Sequence, residues 1–168
     1  MKKLMVLAVT VASLGASASA YAANVATSTI GANLVTAISI VKVTDLNFGQ
    51  VVPGGTSGAV QVGETNGVRT PSGGTTLGNT AGTSRASFTV TGAANATFVI
   101  TTSGSITISD GTNSMTVYAF QSYPFASIPL SAGGTATVYV GATLAVPANQ
   151  AFNGTPFTGT FNTTVNYN

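Results

Sequence analysis

Few side chains in this sequence are capable of acid–base or nucleophilic chemistry. The 168 residues include no His and no Cys, so an imidazole base, a thiolate and the usual ligands of a transition metal are missing. The acidic residues are only Asp45, Glu64 and Asp110, and they are widely separated in the sequence. We therefore expect neither a carboxylate pair of the kind used in glycoside hydrolysis nor a carboxylate-rich calcium site.

The abundant Ser and Thr residues have no adjacent base that would activate a hydroxyl group as a nucleophile. Lys42 is a lone lysine within a strand pattern, where a solvent-exposed edge position is more common than a catalytic one. The sequence therefore predicts a protein that is not an enzyme and that uses no cofactor and no metal.

Residues 1–22 have the organisation of a secretory signal peptide. Two lysines precede an apolar run from Leu4 to Gly15, and the small residues of "ASASAYAA" follow. Cleavage after Ala22 is favoured, with cleavage after Ala20 as the alternative. A membrane anchor is the competing interpretation, but the run is much shorter than the roughly 20 apolar residues that span a bilayer. We expect an exported protein with no membrane span in the mature chain.

Removal of this leader leaves a formally neutral chain, because Lys42, Arg69 and Arg85 balance the three acidic residues. The basic isoelectric point therefore comes from the leader and does not indicate binding to nucleic acid. A surface with so few charges also offers little resistance to self-association.

The rest of the chain has the pattern of an all-β protein. Short β-branched and aromatic runs alternate with Gly-rich turns, as in a sandwich or barrel, and no helix is expected beyond the leader. Residues 64–83 are rich in Gly and Thr and are expected to form an exposed loop. The predicted strands are residues 36–43, 47–52, 59–62, 86–91, 97–102, 105–109, 115–120, 136–146 and 157–167.

The sequence closes with the alternating segment "FTGTFNTTVNYN", residues 157–168. One set of alternate residues is mostly Thr and Asn, and the other set contains the large apolar residues. This alternation predicts a half-buried strand with two different faces. The strand has two interpretations, an ordinary final strand of a sandwich or a strand that lines an open groove. Its first face carries Phe157, Gly159, Phe161, Thr163, Val165 and Tyr167.

Several segments resemble the subunits of chaperone–usher pili. Gly154 lies fourteen residues before the C-terminus and Tyr167 is penultimate, a pattern similar to the C-terminal motif of those subunits. The segment "DLNFGQVVPG", residues 45–54, resembles an early strand of fimbrial and spore-coat-U-like subunits. The chain is also similar to an uncharacterised family of small secreted bacterial proteins, through "ISI" at 38–40, "DLNFG" at 45–49, "FTVTG" at 88–92 and "GATLAV" at 141–146. Many pilins have a disulfide near their first strands, and this chain has no Cys.

The resemblance implies an immunoglobulin-like, pilin-type β-sandwich over residues 35–168 that lacks its final strand. It also implies a periplasmic chaperone and an outer-membrane usher as partners. An open groove would expose apolar side chains and unpaired backbone groups, and both favour the addition of a strand. The residues expected to form the acceptor groove and chaperone-binding strand are Gly154, Phe157, Gly159, Phe161, Thr163, Val165 and Tyr167.

Residues 23–34, "ANVATSTIGANL", are the candidate donor strand. The segment is compatible with a strand, contains neither Pro nor charge, and has no evident partner in the domain. The alternative is a flexible exported N-terminus. The face favoured for insertion carries Ala26, Ser28, Ile30, Ala32 and Leu34, because Ile30 and Leu34 are its bulky anchors.

The leading hypothesis is a structural subunit of an extracellular pilus or fimbria that contributes to adhesion or biofilm formation. Each copy would insert its N-terminal strand into the next copy, a head-to-tail contact that propagates. The rival hypothesis is a self-complemented secreted adhesin or matrix protein in which residues 23–34 complete their own sheet. A third hypothesis, a disordered-to-amyloid matrix protein, is disfavoured because the sequence has no repeats.

Overall fold

The computed structural model describes residues 24–168, and the predicted signal peptide lies outside the described residues. The chain divides into two units at Asn33 and Leu34. Residues 24–33 form no regular secondary structure, and their side chains are exposed. The second unit, Leu34–Asn168, contains all the strands described below.

The second unit is built from short antiparallel strands. Within residues 24–168, no helix is long and apolar enough to cross a membrane. The strands are β1 (Ser39–Thr44), β2 (Val51–Val52), β3 (Gly58–Val62), β4 (Arg69–Gly73), β5 (Thr76–Leu77), β6 (Ala86–Thr91), β7 (Thr97–Thr102), β8 (Ser105–Ser109), β9 (Ser114–Tyr123), β10 (Ile128–Pro129), β11 (Thr135–Val146) and β12 (Thr163–Tyr167).

The strands form a large sheet, a small sheet and a two-stranded ribbon. The large sheet has the order β1-β6-β11-β3-β4, with β9 paired to the other edge of β11 and β8 paired to β9. The small sheet has the order β10-β7-β12, and β2 pairs with β5 in the ribbon. Strand β11 is the centre of the large sheet, since β6, β3 and β9 all pair with it.

The core lies between the two sheets and follows from the alternation of side chains along their strands. On β11 the alternate residues from Val138 to Val146 are buried, and among the residues between them only Gly141 is buried as well. Val138 belongs to a cluster with Phe98 of β7, so the large and small sheets share one apolar layer. Burial on alternate residues is the arrangement expected of packed sheets. The prediction of an all-β sandwich is therefore confirmed.

The prediction of an exposed loop at residues 64–83 is wrong, because β4 and β5 lie within it. Strand β4 pairs with β3 through its backbone, so it needs no alternating apolar side chains to form. The side chain of Arg69 is 8% exposed and donates hydrogen bonds to four carbonyl groups around β2 and β5. The contacts that order this span are therefore made with residues outside it, in β3, in β2 and before β2, and they do not appear in its composition.

The terminal strand is shorter than the predicted span 157–167. Strand β12 begins at Thr163, which pairs with Thr102, the last residue of β7. The residues before Thr163 extend beyond the end of β7, so β7 has no residue that could pair with them in the sheet. Thr158 instead forms an isolated bridge with Ser109 of β8.

Asp110 closes the hairpin between β8 and β9. Its carboxylate accepts hydrogen bonds from the backbone N–H groups of Thr112 (2.9 Å) and Asn113 (2.6 Å) and from the Asn113 side chain (3.0 Å). Burial raises the pKa of the Asp110 carboxyl, but the hydrogen bonds from Asn113 and Thr112 lower it by more, so the pKa lies below its ordinary value. The ionised form therefore stabilises this hairpin.

This arrangement predicts an acid-dependent loss of stability. A depressed pKa in the folded state contributes stability above the unfolded pKa of about 4, and that contribution disappears as pH falls through the folded value. We expect Asp110→Asn to destabilise the protein at neutral pH and to weaken its acid dependence. Urea unfolding at a series of pH values measures both effects. Asp45→Asn is the control, because Asp45 is exposed and pairs only with Lys42. Equal acid dependence in Asp110→Asn and the parent protein would contradict the assignment.

Candidate strand-acceptor site

Strand β12 lies at an edge of the small sheet and is half-buried on one face. Its neighbour in the sheet is β7, and no strand within residues 24–168 pairs with its other edge. Phe161, Thr163, Val165 and Tyr167 are half-buried, whereas the residues between them are exposed. The sequence pattern of the terminal segment therefore corresponds to an inward and an outward face.

The backbone of β12 presents its unpaired groups on that open edge. The carbonyl of Asn162 accepts from the N–H of Ser103 (3.0 Å), and the N–H of Asn168 donates to the carbonyl of Thr97 (3.1 Å). Residues of an antiparallel pair alternate between hydrogen-bonded and non-hydrogen-bonded positions. The even-numbered residues of β12 therefore face β7, and the N–H and C=O groups of Thr163, Val165 and Tyr167 point to the open edge.

The inward side chains of β12 complete the core from the side of the small sheet. Val165 and Tyr167 pack against the cluster that contains Phe98 and Val138. Phe161 lies outside the strand, edge-on to Phe88 with ring centroids 6.2 Å apart, and its centroid is 4.9 Å from that of Phe120. All three remain only half-buried, so one more layer of side chains would complete their burial.

The hydroxyl group of Tyr167 connects the end of β12 to two other segments. It accepts a hydrogen bond from the N–H of Ala93 (2.6 Å) and donates one to the carbonyl of Thr36 (2.7 Å). A Cβ atom at Gly92 would overlap this hydroxyl, so the close approach requires glycine there. In contrast, the Oγ1 atom of Thr163 is buried and has no hydrogen-bond partner among the described residues.

Strand β1 provides a second open edge close to β12. It pairs with β6, and no strand within the described residues pairs with its other edge. Ile38 and Ile40 pack against the same apolar cluster as Val165 and Tyr167, and all four are half-buried. We call the open edges of β1 and β12, with these four side chains, the acceptor edge.

The remaining predicted groove residues lie outside the acceptor edge. Gly154 has φ +93° and no neighbour near the position of a Cβ atom, so it serves a turn before the terminal segment. Phe157 is half-buried, and Gly159 passes against Thr107 and Ile108 of β8. The structure therefore brings together Thr163, Val165 and Tyr167 on β12, with Phe161 just before them, and places the other three residues earlier in the chain.

The predicted donor residues lie in an exposed part of the chain. Ala26, Ser28 and Ala32 are exposed, Ile30 is 99% exposed, and Leu34, which opens the second unit, is 94% exposed. The two bulky apolar side chains of the predicted donor face, Ile30 and Leu34, are therefore accessible to solvent.

Sequence reasoning missed the contribution of Ile38 and Ile40 to this site. Their alternation in "AISIVKV" predicts a strand, but it does not say which other strand shares their core. It also missed Arg69, because a basic residue in a Gly- and Thr-rich span resembles a solvated side chain.

The comparison with known proteins identifies one family. Residues 38–167 match the family described as Domain of unknown function (DUF4402). No curated protein matches the chain, and no solved structure matches it. The match begins at Ile38, the first half-buried residue before β1, and ends at Tyr167. The chain belongs to the DUF4402 family.

Proposed function

We propose that this protein is a structural subunit of an extracellular filament, a pilus or fimbria, assembled by donor-strand exchange. The observation that carries the proposal is the acceptor edge, where two unpaired strand edges flank half-buried apolar side chains. Such an edge is a template for pairing with a further strand.

The strand order supports a sandwich from which one strand is missing. The order β1-β6-β11-β9 with β7-β12 corresponds to the immunoglobulin arrangement, with sheets ABED and CF. In that arrangement a seventh strand, G, follows the sixth and pairs with it. Here β12 takes the sixth place, and its open edge is the position that the seventh strand would occupy.

A strand from a second copy would satisfy both deficits of this edge. Its backbone would pair with the N–H and C=O groups of Thr163, Val165 and Tyr167, and its side chains would cover the half-buried core. Burying a large apolar side chain contributes about 1.5–3 kcal/mol, and two such anchors would add to the free energy of the backbone pairing. The segment 23–34 offers Ile30 and Leu34 as these anchors.

Assembly through this contact would run head to tail, because the donor segment and the acceptor edge are different surfaces of one chain. The open edge would also need protection before assembly, which is the role proposed for a periplasmic chaperone, with an outer-membrane usher as the exit site. The filament would act at the cell surface in adhesion or biofilm formation, without catalysis.

The test is polymerisation of purified protein that carries single substitutions in the donor segment. Ile30→Asp is expected to abolish polymer formation, because it would place an unpaired carboxylate against apolar side chains. Thr27→Asp is the matched control, since it adds the same charge on the opposite face and should leave polymerisation largely intact. Electron microscopy and light scattering measure the outcome.

Removal of residues 24–33 separates the proposal from its rival. The truncated domain should still bind a synthetic peptide of residues 23–34, and it should cap filaments of the intact protein without extending them. If the truncated domain instead loses its cooperative unfolding and the intact protein is a stable monomer that never polymerises, the segment completes its own sheet and the filament proposal fails.

A further inference from the structure

The three basic side chains within residues 24–168 differ in the groups that their charges contact. Lys42 forms an ion pair with Asp45 at 2.6 Å, the single ion pair among the described residues. Arg69 is buried and donates to four carbonyl groups. Arg85 stacks on Tyr139, with its Cζ atom 3.5 Å from the ring centroid, and has no carboxylate partner among these residues. Its charge is therefore available to an external anion.

The hydrogen bonds of Arg85 leave one edge of the guanidinium group open. Its Nη1 atom donates to the carbonyl groups of Glu64 (2.6 Å) and Thr65. A guanidinium group carries five N–H donors, and the Nε and Nη2 donors of Arg85 have no acceptor among the described residues. Two such N–H groups on neighbouring nitrogens bind both oxygens of a carboxylate in a planar pair.

A surface cavity of about 330 Å³ adjoins this arginine. Besides Arg85 and Tyr139, hydroxyl and amide side chains line it, among them Thr44, Asn66 and Ser87. The hydroxyl groups of Thr44 and Ser87 lie 2.6 Å apart and bond to each other, and no acidic side chain lines the cavity. The lining thus combines a cation, an aromatic ring and groups that both donate and accept hydrogen bonds, which suits a ligand with several hydroxyl groups.

We propose that this cavity binds an acidic sugar unit, a uronic or sialic acid residue of an extracellular polysaccharide. The sugar carboxylate lies on the Nε/Nη2 edge of Arg85, and its hydroxyl groups bond to the Thr44, Asn66 and Ser87 side chains. Tyr139 alternates with the buried Val138 and Val140, so the cavity opens on the outer face of the large sheet. The site is therefore separate from the acceptor edge and does not depend on strand exchange. In a filament, repetition of a weak site would raise the overall affinity for a polymeric glycan.

The test is a titration of the purified protein, followed by the NMR signals of its backbone amides. The probes are glucuronate, galacturonate and N-acetylneuraminate. The controls are glucose, which has the hydroxyl groups without the carboxylate, and acetate, which has the carboxylate without the hydroxyl groups. We expect saturable shifts near Arg85 and Tyr139 with at least one acidic sugar, and weaker binding of glucose and of acetate. Shifts of equal affinity with acetate, or with glucose, overturn the proposal, as does the lack of saturation by any acidic sugar up to about 50 mM.

Two variants test the assigned residues. Arg85→Lys keeps the charge but loses the planar fork, and it is expected to weaken binding at least about tenfold. Because Arg85 also holds the carbonyl groups of Glu64 and Thr65, Thr44→Val is the second variant, with an expected loss of several-fold in affinity. Thermal melting establishes that both variants are folded. Unchanged affinity in Arg85→Lys overturns the proposal, whatever the result of the polymerisation experiments.

Discussion

Replacing Arg69 with leucine is expected to lower the free energy of unfolding by about 3–5 kcal/mol. The guanidinium group donates to the carbonyl oxygens of Phe48 (2.9 Å), Gln50 (2.8 Å), Gly78 (3.2 Å) and Asn79 (3.1 Å). A hydrogen bond to a charged group contributes about 1.5–3 kcal/mol, and the four bonds are not additive because they share one side chain. The leucine variant leaves the carbonyl groups of Phe48 and Gly78 without a donor and removes one of the two donors at Gln50 and Asn79, so the ribbon of β2 and β5 should loosen from the domain.

Two further variants make this prediction specific. Arg69→Lys should be intermediate, because one ammonium group cannot reach four acceptors in two directions. Arg85→Leu removes an arginine that donates to two carbonyl groups and stacks on Tyr139, and it should cost about 2 kcal/mol, less than Arg69→Leu. Urea unfolding of the parent and the three variants gives the comparison. A leucine variant as stable as the parent protein would show that water replaces Arg69 without loss.

The second large effect is expected at Tyr167, where serine should lower the free energy of unfolding by about 3 kcal/mol or more. The ring packs against the cluster that contains Phe98 and Val138. Truncation of an aromatic side chain at such a position leaves a cavity in addition to the lost apolar contact. The hydroxyl bonds to Ala93 and Thr36 are lost as well. Under the proposed function, this variant should also be captured poorly by a chaperone and degraded or aggregated before assembly.

Tyr167→Phe separates the ring from its hydroxyl. It keeps the packing and leaves the N–H of Ala93 without its acceptor, at an expected cost of about 1–2 kcal/mol. Asn166→Ser is the control on the exposed face of the same strand and should change stability by less than about 0.5 kcal/mol. If Tyr167→Ser unfolds at the same urea concentration as Asn166→Ser, the end of β12 makes no energetic contribution to the domain.

The strands predicted best are those whose side chains alternate and whose ends carry turn residues. The predicted spans 86–91, 97–102 and 105–109 coincide with β6, β7 and β8. The hairpin at Asp110 is also local, since its carboxylate bonds to residues two and three positions later. In these segments the pattern of neighbouring residues is enough to locate the strand, whereas the partners of β6 and β7 lie far along the chain.

Strands β4 and β5 were not predicted, because their side chains are mostly polar and their partners, β3 and β2, lie outside the span 64–83. Strand β4 is held by backbone pairing with β3, and Arg69 joins carbonyl groups at positions 48 and 50 to those at 78 and 79. A search for alternating residues within a short window cannot detect hydrogen bonds between a side chain and carbonyl groups in other segments. The short terminal strand has the same origin, since the end of β7 at Thr102 decides where β12 can begin.

The sequence by itself determined the all-β class, the inward residues Phe161, Thr163, Val165 and Tyr167, and the scarcity of ionisable groups. Each of these follows from residue type or from alternation along one strand. Only the tertiary structure decided which edges remain unpaired and which distant side chains meet there. It brought Ile38 and Ile40 beside Val165 and Tyr167, and it left Gly154 outside the strand. The physical reason is that strand pairing depends on two segments, so the sequence of one strand does not identify the strand that pairs with it.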